Sequence, residues 1–222
     1  MWPDLSALLL TAQLALVTTA ILMVLGTPLA WWLAQSRGAW RPVVETLVAM
    51  PLVLPPTVLG FYLLLLLGPA GVPGRLWLEV TGTSLTFSFT GLVIASCVYS
   101  LPFVVQPLQN AFRSVPKPVL EAAHSLGASP RDAFFSVISP MAVRGYLTAA
   151  VMGFAHTLGE FGVVLMVGGN IPGKTRVVSI AIYDHVETLQ YSEAHVLSLI
   201  LLLFAFVALF TLYWVNRVHY DD

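Results

Sequence analysis

The sequence predicts an all-α integral membrane protein with about five transmembrane helices, in a single domain covering residues 1–222. Three observations predict it. Of its residues 58% are hydrophobic and only 9% are charged, with mean hydropathy +0.85, which leaves too little polar surface for a domain bathed in water. Several nearly uncharged stretches reach the about 20 residues that a helix needs to cross a hydrocarbon core. No segments of about ten residues alternate in the manner of a membrane barrel, so helices must pair the backbone N–H and C=O groups inside lipid.

The first span runs from about residue 6 to 34 and ends in Trp31-Trp32, whose rings suit the interface. The second, about 43–67, carries Pro51, Pro55 and Pro56 and cannot be one straight helix. A third covers about 87–112, a fourth about 143–167, and the fifth is the apolar run 196–215. The start MWPDLSALLL has no Lys or Arg before its apolar run, so it is expected to remain in the mature chain.

Charge orients the spans. Arg37 and Arg41 fall between spans one and two, Arg113, Lys117, Arg131 and Arg144 around the link between three and four, and Arg217 after span five. Arg75, Lys174 and Arg176 fall on the opposite side. The positive-inside bias makes the first side cytoplasmic, with the amino terminus outside, the carboxy terminus in the cytoplasm, and loop 168–194 external. A net charge of −1 excludes nucleic-acid binding driven by bulk basicity, and the single Cys97 excludes a disulfide framework or a cysteine-based metal site.

GGNIPGKT at 168–175 fits the phosphate-loop pattern G-x-x-x-x-G-K-[ST]. Its context does not: a working loop needs a strand before it and a helix opening at its Lys-Thr, whereas a membrane helix precedes this one, on the outer face. The stretch is expected to be a Gly/Pro/Asn turn.

The link at about 113–142 holds two short amphipathic segments. Pro118 suits a first helical turn, Val119, Ala122, Ala123 and Leu126 share a face, and Gly127 is placed to end the helix. Ser129 is a good N-cap, with Pro130 at the first helical position, Asp132 near the amino end and a stripe of Phe134, Val137, Ile138 and Met141. Neither helix is long enough to stand alone. Each either packs on the protein's own spans and the headgroup layer or enters a partner's groove.

E-A-A-x-x-x-G with an I-x-P ending, carried by Glu121, Ala122, Ala123, Gly127, Ile138 and Pro140, resembles the coupling loop of ABC importer permeases. The likeness implies that the short helix docks on a separate ATP-binding subunit. ATP and Mg²⁺ would then belong to that partner, with no cofactor, metal or catalytic residue in this chain. Further, MPLVLPPTVLG at 50–60, GEFG at 159–162 and NIPGKTR at 170–176 are together similar to the molybdate permeases of these importers. Tungstate permeases are close relatives, and sulfate or thiosulfate permeases share the architecture less closely. The resemblance implies a prokaryotic inner-membrane location, a homodimer, two ATPase subunits and an external solute-binding protein.

A dianion's path must be wet or lined by donors. A helix restarting near Thr57 after Pro55-Pro56 would aim free N–H groups at such a path, with Gly60 following, or else Thr57 bonds back to its own helix in a plain proline kink. Glu160 is costly in lipid, and its place among Gly159, Phe161 and Gly162 suggests close packing at a gate. His156, four residues earlier, is expected on the same helical face, where the pair would either organise a helix end or serve a proton relay. In the outer loop, Asn170, Pro172, Gly173, Lys174, Thr175 and Arg176 form the imitation phosphate loop, and Lys174 and Arg176 either attract the anion or its carrier or are merely solvated.

Overall fold

Helices long enough to span lipid must hide their backbones and choose one face for protein contact. The protein's structure, a computed structural model, describes residues 4–217, and these form helices with no strand among the described residues. Helix α1 (Leu5–Gln35) contributes a stripe of buried residues that includes Leu14, Thr18, Leu22, Gly26, Ala30 and Leu33, at spacings of three and four. Its other face exposes Leu9, Leu16, Val24 and Leu25, side chains suited to lipid.

The second predicted span is two helices, α2 (Arg41–Val53) and α3 (Pro56–Leu67), turned by 114° at Leu54-Pro55. Pro55 and Pro56 supply no backbone N–H, so the ladder cannot cross them. A short helix, α4 (Val72–Thr81), follows in what the sequence left as a connection, and ends on Gly82 at φ +71°. Helix α5 (Phe89–Ser114) is the centre of the bundle: Ser88 caps its start by accepting from Gly91 N at 3.1 Å, and twelve of its residues are buried.

The loop region begins with α6 (Lys117–Ser125) and α7 (Pro130–Ala133). It continues through a π-helical turn (Phe134–Ile138) into α8 (Ser139–Met141). The fourth expected span runs over 143–167. It is broken into α9 (Val143–Leu158) and α10 (Gly162–Gly168), with Gly159, Glu160 and Phe161 between them. The connection at 168–194 also holds an ordered element, α11 (Val178–Glu187). Helix α12 (Tyr191–Arg217) is the last of the described elements.

Helices α1, α5 and α9 form the packed centre. A Cβ at Gly153 would lie 2.6 Å from Val104 Cγ2, and one at Gly145 only 2.1 Å from Ala111 Cβ, so α9 approaches α5 more closely than any side chain would allow. At one end Trp31, Phe112, Phe134 and Tyr146 stack edge to face around the same core. Among the described residues three helices, α1, α5 and α12, are each long and apolar enough to cross a membrane, and by length and composition there are up to five spans if each bent pair, α2 with α3 and the α7–α8 segment with α9, counts as one.

Candidate functional site: paired helix breaks and an exposed elbow

The two interrupted spans meet. A Cβ at Gly162 would sit 2.8 Å from Pro56 Cβ and 3.7 Å from Thr57 N, while one at Gly60 would sit 2.9 Å from Met166 Cβ and 3.2 Å from Val163 Cα. Helices α3 and α10 therefore start side by side and run in the same direction, with Leu63, Leu67, Val163 and Val167 sealed between them and α5. Their amino ends, each a positive dipole end, lie together. Proximity thus gathers Pro56, Thr57, Gly60, Gly162 and the adjoining Pro55, Gly159, Glu160 and Phe161 in one place. Thr57 and Pro55 remain exposed at the break, and the Thr57 hydroxyl makes no bond back to its helix among the described residues.

Glu160 is only 3% exposed, and neither carboxylate oxygen has a hydrogen-bond partner. Ser96 of α5, also buried with an unpartnered hydroxyl, lies within its reach. The backbone carbonyl of Glu160 accepts from Ser179 Oγ at 2.5 Å, which ties the break to α11. The expected His156–Glu160 contact is not formed. His156 Nδ1 pairs with Ser100 Oγ at 2.9 Å and its ring stacks on Phe103 at 3.8 Å, while Ser100 also bonds Thr157 Oγ1 at 3.0 Å. The helix stops at Leu158, so residues 156 and 160 no longer share a helical face.

The imitation phosphate loop closes on itself. Ile171 O accepts from the backbone N–H groups of Lys174, Thr175 and Arg176 at 3.0–3.1 Å, and the turn uses Gly169 and Gly173 at φ +67° and +71°. Thr175 is buried; its hydroxyl donates to Gly168 O at 2.7 Å and receives Ile171 N at 3.3 Å, so it is spent within the loop. The next helix opens at Val178, past the Lys-Thr pair, and a helix precedes the loop. Arg176 Nη2 pairs with Asp184 Oδ2 at 2.6 Å, and Asn170 donates to the other oxygen at 3.2 Å, whereas Lys174 is exposed. Asp184 was invisible as a partner because it lies on a helix the sequence left as loop.

The second constellation is the elbow. Gly127 takes φ +85°, and Ala128 N reaches back to Ala123 O at 3.0 Å while Leu126 N reaches Ala122 O, a Schellman closure of α6. Ser129 and Asp132 then form a reciprocal capping box at the start of α7. Of the two courses open to α6, the face formed by Val119, Ala122, Ala123 and Leu126 does not take the first, packing on the protein's own spans: Ala123 is half-buried, Val119 and Ala122 are exposed, and Leu126 is 89% exposed. Leu120, on the opposite side, does the anchoring, together with Ala133 and the fully buried Ile138. Glu121 and Pro140 stay exposed.

Sequence reasoning also missed an ion-pair knot. Glu45 Oε1 accepts from Arg113 Nη2 at 2.6 Å, Gln109 Nε2 at 2.7 Å and Arg41 Nε at 3.2 Å, joining α2 to α5. A carboxylate at the edge of an apolar span was the available signal.

A family of known proteins matches this chain. The model of the family described as binding-protein-dependent transport system inner membrane component matches residues 26–220. The chain belongs to that family. This inner-membrane component is 56% identical, over 96% of its length and 95% of the relative's, to the molybdenum transport system permease protein ModB of Azotobacter vinelandii. It is 31% identical, over 97% and 95%, to the protein of the same name in Escherichia coli K12. Its fold is that of a chain in an inward-facing MetNI methionine ABC transporter, with TM-score 0.73 at 17% identity, covering 98% of this component and 96% of that chain. It also matches a chain of a bacterial alginate ABC transporter solved with a pentasaccharide-bound periplasmic protein, with TM-score 0.75 at 16% identity, covering 96% and 78%. The chain is a multi-pass inner-membrane permease component of an importer.

Proposed function

We propose that this permease carries molybdate inward, as half of a homodimer driven by two separate ATP-binding subunits and supplied by an external solute-binding protein. The observation that carries the cargo is the 56% identity to the molybdenum permease of Azotobacter vinelandii over nearly the whole of both chains. Glu121, Ala122, Ala123 and Gly127 belong on the cytoplasmic face, where the exposed apolar side of α6 enters a cleft of the ATPase, and Ile138 and Pro140 belong to the segment that joins the elbow to α9. ATP and Mg²⁺ act on that partner. Closure of the partner moves the elbow as a rigid body, and α9 transmits the motion to the break at Gly159–Phe161.

The paired breaks form the gate. Unpaired backbone at membrane depth is tolerated only where protein or water covers it, and one copy of the chain leaves Pro55 and Thr57 open. A second copy, placed with its breaks facing these across a two-fold axis, would enclose a path lined by the amino ends of α3 and α10. Since Pro55 and Pro56 have no N–H and those of Val58 and Leu59 bond Pro55 O, the donors offered to a dianion are the N–H groups of Thr57 and Gly162, while the buried Glu160 is withheld from the path behind the start of α10. A proton relay has less support, because His156 is engaged by Ser100 rather than Glu160.

The test is uptake of isotopically labelled molybdate in cells that lack their own carrier, with the permease produced together with its ATPase and binding protein. Accumulation is expected only when all three are present, and to persist when an uncoupler is added at constant ATP. Uptake without the ATPase, or no molybdenum accumulation with all three, would overturn the proposal.

A further inference from the structure

Beside the elbow lies a recess of about 680 Å³ between the end of α1, the start of α2, the end of α5 and α6. Its polar rim is basic, formed by Arg37, Arg41, Arg113 and Lys117. Two carboxylates stand against these four cations: Glu45, shared by Arg41 and Arg113, and Glu121. Arg37 and Lys117 have no acidic partner among the described residues. The knot at Glu45 and the bond from Arg41 Nη1 to Ser36 O at 3.1 Å hold two of the guanidinium groups in place, so the recess is built rather than a loose patch. Its inner wall is apolar, with Trp31, Phe112 and Leu120.

We infer that this recess binds the phosphate headgroup of an anionic phospholipid. The chemistry is that of a tetrahedral oxyanion met by guanidinium and ammonium donors. Depth selects the lipid as its source. The recess opens where the apolar run of α1 ends, at Trp31 to Gln35, which is headgroup level, and the aromatic wall suits the glycerol and first methylenes. Because Glu121 of α6 and Lys117 at its start border the same space, a bound headgroup would brace the elbow against α1 and α2.

Native mass spectrometry of the full chain in mild detergent, titrated with phosphatidylglycerol or with phosphatidylcholine of the same acyl chains, tests this. Phosphatidylglycerol is expected to be retained preferentially. Combining Arg37→Gln with Lys117→Gln is expected to weaken it roughly 30-fold, the effect of two basic side chains at a membrane surface, and to leave phosphatidylcholine unchanged. Excess inorganic phosphate is expected not to displace the lipid. Equal retention of the two lipids by the unaltered chain would overturn the site whether or not the double variant folds, and so would full retention by a folded double variant. Displacement by inorganic phosphate would assign the recess to free oxyanions, and expulsion of the lipid on adding the ATPase subunit would assign it to the protein partner; either ends the lipid assignment.

Discussion

At Glu160 the chain buries a carboxylate with no hydrogen-bond partner, in a stretch where a carboxylate is costly. Glu160→Met keeps roughly the volume and removes the unpartnered polar group, whereas Glu160→Gln would leave an amide just as unpartnered, so the methionine variant is expected to be more stable by about 1–3 kcal/mol, the range over which unpaired burial costs stability. Thermal unfolding of the purified permease in detergent measures this; a lower unfolding temperature would mean that the carboxylate is engaged in the assembled protein. The helix crossing beside it makes the opposite demand. Gly60→Val would push a branched side chain into Met166 and the backbone of Val163, and is expected to cost about 1–3 kcal/mol by overpacking, whereas Gly38→Ala, with only Ser36 Oγ nearby at 3.8 Å, is expected to be silent in the same assay. The residue scale is also where inference from sequence failed most plainly. His156 and Glu160 stand four apart, and the pairing expected of them assumes a continuous helix. Gly159, and Phe161 at φ −127° and ψ −59°, end that continuity.

Among the elements, the long apolar helices were legible because hydropathy over about 20 residues reports solvent and needs no tertiary context. The break at Leu54-Pro55 was legible too, since proline acts locally. The break at Gly159–Phe161 was not: glycine is tolerated inside membrane helices, and the flanking apolar residues average into one smooth run. The elbow shows a different limit. Its turn and caps follow from Gly127, Ser129 and Asp132, yet periodicity locates an apolar face without saying what covers it, and the face turned inward is the one bearing Leu120. Gly127 gives an element-scale prediction. A Cβ there would meet nothing within 4 Å, so Gly127→Ala costs only the left-handed backbone, about 1–2 kcal/mol, and Gly127→Asn, which tolerates that conformation, less. Both proteins are expected to insert normally. Molybdate uptake and ATPase co-purification should fall in the order glycine, asparagine, alanine. Equal activity of all three would show that the bend angle of the elbow does not matter for coupling.

For the whole molecule, the difficulty is surface. Beyond the apolar flanks of α1 and α12, suited to lipid, α3 exposes Thr57, Val58, Phe61 and Tyr62 directly after a break that leaves backbone groups unpaired. Lipid would accept the rings but not the break. If the break faces a second copy across a two-fold axis, residue 57 of one copy lies near its equivalent in the other or faces the water between them. Cys97 is the only cysteine in the sequence and packs against two apolar clusters, so Cys97→Ala gives the thiol-free background for a scan. Thr57→Cys in that background is expected either to form an intermolecular disulfide under mild oxidation, which requires Cα atoms within about 7 Å, or to react with a hydrophilic thiol reagent in membranes. Leu203→Cys, on an exposed part of α12, is expected to do neither. The two outcomes for position 57 separate a tight contact at the axis from a wet path along it. A thiol there that neither cross-links nor reacts would instead place the break against lipid, and the two-fold arrangement of the gate would have to be abandoned.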